Sequence, residues 1–308
     1  MSSDHVAILL ATYQGEKFLA AQLDSLIAQT HQNWTIYASD DGSTDGTLNI
    51  LRQYQQRLGG ERLCIAQTPR LGAAANFLSL VRRAEIQANY YAYCDQDDIW
   101  LPERIARGFA FCRTVADTTP ALFGSRTRLI DDSGNVVGVS PAFRRPPSFR
   151  NALAQNIASG NTMLFNEATR RLLQKTSEDT LIVIHDWWTY LLVAACGGQI
   201  RFELQPTVHY RQHRDNQIGA GVGASARASR VRSLFIGDFR AWNARHIEAL
   251  QSFREELPPE NWQILAWFAQ ARQSALPRRL KLLAQSGVYC QTVLGNGKLL
   301  AAALLDKL

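Results

Sequence analysis

Four apolar runs, each closed by a polar break and followed by a segment of helical spacing, restrict the first third of this chain to one class of fold. Val6-Ala7-Ile8-Leu9-Leu10 is uninterrupted, as expected of a strand buried on both faces in a parallel sheet. Ala11 to Gly15 breaks it, and Leu19, Leu23, Leu26 and Ile27 then recur at the period of an amphipathic helix. A second strand, Thr35 to Ala38, runs into Ser39-Asp40-Asp41-Gly42-Ser43-Thr44-Asp45-Gly46, with Thr47, Ile50, Leu51 and Tyr54 as the next helix face. Leu63 to Ala66 leads through Pro69-Arg70-Leu71-Gly72 to a helix from Ala73 to about Ala88, and Tyr90 to Tyr93 is the fourth strand. This alternation predicts an α/β fold with a mostly parallel, doubly wound sheet and right-handed crossovers. Ligands of such sheets bind beyond the carboxyl ends of the strands. Thr12, Asp41, Arg70 and Asp95 to Asp98 all follow strand ends and should meet in one crevice.

The fourth strand ends in Asp95-Gln96-Asp97-Asp98, three carboxylates in four positions. Two carboxylates about 4 Å apart repel by roughly 4 kcal/mol at an effective dielectric of 20. A hard divalent cation with oxygen ligands is the usual remedy. The plainer alternative is a turn in which Asp97 or Asp98 caps a helix opening near Leu101-Pro102-Glu103, where proline suits the first turn.

Composition narrows the partners. The chain has 308 residues, 46% of them hydrophobic, a formal charge of +6 and a pI near 9.2, which describes a folded, soluble type of protein. The basic balance is compatible with nucleic acid, anionic lipid or phosphorylated substrates. Acidic residues cluster before Asp98, whereas Arg126, Arg128, Arg144, Arg145, Arg150, Arg170 and Arg171 follow it. That suits a metal–diphosphate ligand, with carboxylates on the metal and arginines on phosphate. Five scattered cysteines without a C-x-x-C pair read as reduced thiols of a cytoplasmic protein. No secretion signal is recognisable at Met1-Ser2-Ser3-Asp4-His5, and no apolar run reaches the length of a membrane span. Any membrane contact is then peripheral, on the inner face.

Beyond Pro120 the alternation loosens. Ala121 to Ser125 and Thr127 to Ile130 read as strand, Phe143 to Arg150 as an exposed basic loop, and Asn156 to Phe165 as a loop entering a strand. His185-Asp186-Trp187-Trp188 opens a helix that Gly197-Gly198 ends. Val208 to His213 is a last strand and its exit, and from about Ala224 the chain reads as helices only.

Thr12-Tyr13, Asp40-Asp41-Gly42-Ser43-Thr44-Asp45, Asp95-Gln96-Asp97-Asp98-Ile99-Trp100 and His185-Asp186-Trp187, in this order and spacing, resemble the family-2 inverting glycosyltransferases. The resemblance covers roughly the first 220 residues and implies the GT-A fold. On this reading residues 1–115 form a Rossmann-like nucleotide-binding half, 116–220 an acceptor-binding half and 221–308 a helical C-terminal extension. It further implies a nucleotide site of Thr12, Tyr13, Asp41, Arg70 and Asp95. Asp41 would accept the imide N–H of uracil or thymine, while Asp40 and Asp45 suit turn or capping roles. Asp97 would ligate Mg²⁺ or Mn²⁺ on the donor diphosphate, joined by His213, with Asp95 on ribose or a metal-bound water and Asp98 behind them. Asp186 takes the catalytic-base position, and Arg211, Trp187 and Asn161 would support phosphate and acceptor. His185 departs from the Glu-Asp pair that many members carry.

Tyr210-Arg211-Gln212-His213, followed by Asn216 and Gly219, resembles the non-processive, rhamnosyltransferase-like branch. The Q-x-x-R-W signature of processive members is absent, which argues against a polymer synthase. The implied activity is metal-dependent transfer of one sugar, L-rhamnose from dTDP-rhamnose by branch resemblance. The donor is dTDP- or UDP-linked, and the acceptor is a glycan or a lipid-linked glycan in surface-polysaccharide synthesis. The C-terminal helices mix apolar faces with lysine and arginine, open both to peripheral membrane contact and to a homodimer interface. A sugar-1-phosphate nucleotidyltransferase would need a Gly-rich basic loop where Thr12 to Glu16 stands. A nucleic-acid-binding protein would need a basic stripe with exposed aromatics, and the acidic strand ends oppose it, so nucleic acid is not an expected partner. A silent sugar-nucleotide-binding protein would more readily lack Asp97 or Asp186.

Overall fold

A computed structural model describes residues 4–68, 70, 72–213 and 238–308. Asn216, Gly219 and the expected boundary at 220/221 lie outside the described residues. The first half follows the predicted alternation: β1 (Val6–Thr12), α1 (Leu19–Ile27), β2 (Trp34–Asp40), α2 (Thr47–Leu58), β3 (Leu63–Gln67), α3 (Ala73–Arg82) and β4 (Tyr90–Cys94). β3, β2, β1 and β4 lie side by side in that order, all parallel. In β1, β2 and β4 the side chains are almost all buried, on both faces, which is why those runs are apolar without alternation, whereas in the edge strand β3 only Leu63 is fully buried. α3 stops at Arg82, short of the expected Ala88, because Arg83 turns extended. The Arg170 guanidinium then takes the carbonyls of Val81 and Arg83.

The second half is mixed. β5 (Ile99–Trp100), α4 (Arg104–Cys112), β6 (Ala121–Ile130), β7 (Val136–Val139) and α5 (Phe149–Ala152) precede a single 3-10 turn at Gly160–Thr162. β8 (Leu164–Asn166), α6 (Glu167–Gln174), α7 (His185–Ala195) and β9 (Gln199–Arg211) follow. β8 runs antiparallel between β4 and β6, β9 is parallel to β6, and β5 closes the far side antiparallel to β9.

The sheet order, β3-β2-β1-β4-β8-β6-β9-β5, explains the geometry of the acidic stretch. β4 and β5 stand four strand steps apart, about 19 Å across a flat sheet. The five residue steps from Cys94 to Ile99 reach at most about 17 Å. The sheet therefore curls, and the Asp95 to Asp98 connection is drawn across the concavity. Asp98 does not cap α4, as the turn reading required, because β5 intervenes and Glu103 is the N-cap.

Helices cover both faces. α1, α2 and α4 pack on one core, whereas α3 and α7 share the other with α8 (Asp238–Gln251), α9 (Pro259–Gln273), α10 (Leu276–Ser286) and α11 (Val293–Leu304). Ile247, Leu250, Phe253 and Phe268 belong to the same buried cluster as Trp187 and Trp188, so the described C-terminal helices are part of the main core.

Candidate active site

The end of β1 and the end of β2 are tied together. Thr12 is buried and its hydroxyl donates to Asp40 Oδ2 at 3.0 Å. Asp40 also accepts from the Ser43 N–H and hydroxyl, and Asp45 Oδ1 accepts from the Thr47 N–H at the start of α2. Asp40 carries the turn role expected of it, whereas Asp45 stands one residue before the N-cap, Gly46, and holds the first N–H of the helix from there. Asp41 Oδ2 accepts from the Gly72 N–H at 2.8 Å, which holds the loop before α3 against β2. Arg70 is exposed, its guanidinium carbon 6.0 Å from the Tyr13 ring centroid. Tyr13 itself is 44% exposed. Its backbone is fixed by Gln96, whose amide accepts from the Tyr13 N–H and donates to the Tyr13 carbonyl, both at 2.8 Å.

The acidic stretch divides by environment. Asp98 is fully buried and accepts from Asn161 Nδ2 at 2.5 Å and from the Arg211 N–H at 3.1 Å. Asp97 Oδ2 meets His213 Nε2 at 2.7 Å, with both side chains partly open. Asp95 lines a cavity. Burial, reinforced by Asp97 and Asp186 and opposed by Arg104, pushes the Asp95 carboxyl up to about 8. Burial and then Asp97 and Asp95 push Asp98 well above the carboxylate range.

Arg211 reaches the site by another route than the one its charge suggested. It is buried, and its guanidinium donates to the carbonyls of Asp97, Asp131 and Asp132 at 2.9 to 3.1 Å. It fastens the acidic connection to the turn after β6. Trp187 lines the same cavity as Asp186 and is also packed into the core. Its indole N–H donates to the Ala152 carbonyl at 2.8 Å and its ring meets His246 and Trp242 edge-on.

Asp186 lies in the first turn of α7, where Ile184 is the N-cap and makes no side-chain cap bond. Its Oδ2 accepts from the Gly160 N–H at 2.9 Å and its Oδ1 from the Trp187 N–H. Burial raises its pKa to about 6, against the lowering by those N–H groups and by the Asn156 side chain. Its neighbour His185 stacks on Phe77 at 4.0 Å and meets Tyr93 edge-on. Burial alone lowers the His185 pKa to about 3, so the ring is neutral and acts as core.

Two groups carried no sequence signal. Arg104 is buried beneath the carboxylates with its guanidinium 3.4 Å from the Trp100 ring centroid, donating to the carbonyls of Tyr93, Asn161 and Met163. Burial lowers its pKa to about 9. Asn156 bonds to Asp186, yet sat in a stretch readable only as a loop.

Asp95 and Asp186 line one cavity of about 710 Å³, with Tyr210, Phe77 and Ile157 among its walls. That volume is within the range of small-molecule sites. One carboxyl at the end of the parallel strands thus shares a cavity with another at the start of α7. Such a site can hold a reacting group between Asp95, whose raised pKa keeps it largely protonated at neutral pH, and Asp186, which is available as a proton acceptor. Among the described residues no three His, Cys, Asp or Glu side chains converge as a complete metal cage. Asp97 and His213 supply a converging oxygen and nitrogen pair, which fits a cation that takes its remaining ligands from phosphate and water.

Comparison with known proteins gives relatives in sequence and in fold. The chain is 26% identical over 235 residues to the dTDP-rhamnosyl transferase RfbG of Shigella flexneri, covering 72% of this chain and 78% of the relative. The S. aureus TarS 1–349 structure in complex with UDP-GlcNAc shares the fold with a TM-score of 0.55 at 15% identity, over 92% of this chain and 90% of that one. The mannosyltransferase PcManGT from Pyrobaculum calidifontis, in complex with GDP-Man and Mn2+, gives 0.52 at 15% identity over 98% and 88%. These folds are GT-A glycosyltransferase folds, as expected from the motifs. The Glycosyl transferase family 2 profile matches residues 7–179, more than half of the chain, and the protein belongs to that family of glycosyltransferases.

Proposed function

We propose that this glycosyltransferase moves one sugar, with inversion, from a nucleoside diphosphate donor to a hydroxyl of a glycan or lipid-linked acceptor in surface-polysaccharide synthesis. The observation that carries the reading is that Asp95 and Asp186 line one cavity. The donor side is formed by Thr12, Tyr13, Asp41, Arg70 and Asp95 at the parallel strand ends, within residues 1–115. The acceptor side is formed by residues 116–220 and closed by helices of 221–308. The similarity to RfbG supports dTDP-L-rhamnose as the donor.

Asp186 acts as the base. It takes the proton of the attacking hydroxyl as the new C–O bond forms, and the anomeric C–O bond to phosphate breaks with its electron pair leaving on the nucleoside diphosphate. A base with a pKa near 6 is ionised at neutral pH yet still accepts a proton in the transition state. Gly160 N–H and Asn156 orient it. Asp97 and His213 would hold Mg²⁺ or Mn²⁺, which as a Lewis acid neutralises charge on the leaving diphosphate. Asp98, Asn161, Arg104 and Arg211 position the acidic connection through their mutual hydrogen bonds.

Calorimetric titration of TDP and UDP, with and without Mn²⁺, tests the donor site in the wild type and Asp97→Ala. Metal-dependent binding lost in the variant supports the reading; no binding under any metal condition sinks it.

A further inference from the structure

The cavity does not end at the two carboxylates. It runs outward between α7, α8 and α11, and its outer wall changes character. Leu294, Lys298, Leu299, Ala302 and Leu305 of α11 and the residue following it line it. Their spacing of four, one, three and three residues places them along one side of the helix. Trp242 of α8 and Ala73 of α3 stand among the other lining residues. Sugar hydroxyls need hydrogen-bonding partners, and this wall is predominantly alkyl and aromatic.

Two further features belong to the same end. Lys298 and Lys307 line the cavity with it, adding positive charge beside an apolar slot. The rim also continues onto an exposed apolar strip. Val293 is 92% exposed, and Leu294, Leu300, Leu304 and Leu305 are each at least half exposed. An apolar strip continuous with a cavity marks a surface that meets another apolar phase.

Resting on the glycosyl-transfer reading above, we infer that the outer cavity is a subsite for an isoprenoid or alkyl chain carrying phosphate. The acceptor enters chain-first along α11, its phosphate lies by Lys298 and Lys307, and its sugar hydroxyl reaches Asp186. The acceptor is thereby assigned to the lipid-linked class, and α11 is the element that selects it. Charge complementarity and continuity with the catalytic cavity both favour this occupant over a free glycan.

The test uses farnesyl diphosphate as the probe, titrated calorimetrically into the full-length protein, with inorganic diphosphate and farnesol as controls. The variants are Leu294→Glu/Leu305→Glu, at exposed rim positions where a charge does not disturb the core, and Lys298→Gln. Farnesyl diphosphate should bind at least tenfold more tightly than inorganic diphosphate. The double variant should lose at least tenfold of that affinity, and Lys298→Gln should weaken farnesyl diphosphate more than farnesol. Circular dichroism of each variant checks that the fold is kept. Equal binding of farnesyl and inorganic diphosphate, or unchanged binding in a folded double variant, overturns the subsite. Binding to phosphatidylglycerol vesicles without affinity for farnesyl diphosphate also overturns it, since the strip would then serve only as a surface contact. TDP titration with Mn²⁺ into the wild type reports separately on the donor site, so loss of the subsite and loss of the transferase reading are distinct results.

Discussion

Asp97 Oδ2 and His213 Nε2 meet at 2.7 Å although 116 residues separate them in the chain. Asp97 stands just before β5 and His213 just after β9, so the antiparallel pairing of β5 with β9 is what brings them together. His213→Ala should therefore weaken Mn²⁺-dependent TDP binding by about 10- to 100-fold, with metal-free binding unchanged. Calorimetry at several metal concentrations measures both, and equal metal dependence in the two proteins would remove His213 from the site.

Asp186→Asn should lower kcat by about 10²- to 10⁴-fold, the usual contribution of a general base, with donor binding preserved. The Asp186 pKa is raised to about 6, so its active, ionised form is depleted as pH falls through that value. The wild-type rate should climb from pH 5 to 7 and then level, whereas the residual rate of the variant should lack that rise. A pH profile of single-turnover transfer decides it.

Gly160→Ala should act on the same base without touching its carboxyl. A Cβ at this position would come within 2.7 Å of His185 Nε2 and 3.3 Å of Asp186 Cβ. The start of α7 must shift, and the Gly160 N–H bond to Asp186 shifts with it. The expected result is a fall in kcat of at least tenfold with TDP affinity intact, read by steady-state kinetics beside calorimetry.

Arg104→Leu should destabilise the fold by at least about 3 kcal/mol, because it strips a buried cation from beneath carboxylates. Three carbonyls would lose their donor. Arg104→Lys should recover only part, since a single ammonium cannot reproduce the fork. Urea unfolding of the two variants gives the comparison, and a loss below about 1 kcal/mol for leucine would contradict the role.

His185 gives an acid-stability prediction. Its folded pKa, about 3, lies below the ordinary histidine value of 6.5. Its stabilising contribution is therefore complete above pH 6.5 and is lost as pH falls from 6.5 towards 3. His185→Phe keeps the stack on Phe77 and removes the titration, so the variant should gain roughly 2 kcal/mol relative to wild type at pH 5 compared with pH 8. Thermal melts at the two pH values test this.

The parallel half of the fold was readable because strands buried on both faces leave continuous apolar runs, and the polar residues after them have nowhere to go but the crevice. Of the residues read there, Asp95 lines the cavity, whereas Thr12, Asp41 and Asp97 lie at the strand ends in hydrogen bonds to Asp40, Gly72 and His213. The mixed half was less readable. β9 extends from Gln199 to Arg211, yet only its last residues looked like strand, because its opening part alternates Ile200, Phe202 and Leu204 with polar residues, is nowhere fully buried before Thr207, and carries Pro206. Arg211 and Trp187 were identified by type and position, but charge does not reveal whether a guanidinium faces phosphate or backbone carbonyls. Arg104 was invisible because an arginine in the first turn of a helix is ordinarily solvated. Only the closure of the sheet over it makes it internal.

The short passage from Cys94 to Ile99 is pinned by a strand at each end. A slack loop carrying three carboxylates would let them spread apart to relieve their repulsion, and their spacing would drift with every change nearby. Here the anchorage at both ends sets that spacing, and inserting one glycine between Cys94 and Ile99 would slacken it without removing any charged group. Specificity for sugar or acceptor is thus free to change in the surrounding loops and in α11, while the acidic ruler between the two halves of the sheet keeps its length.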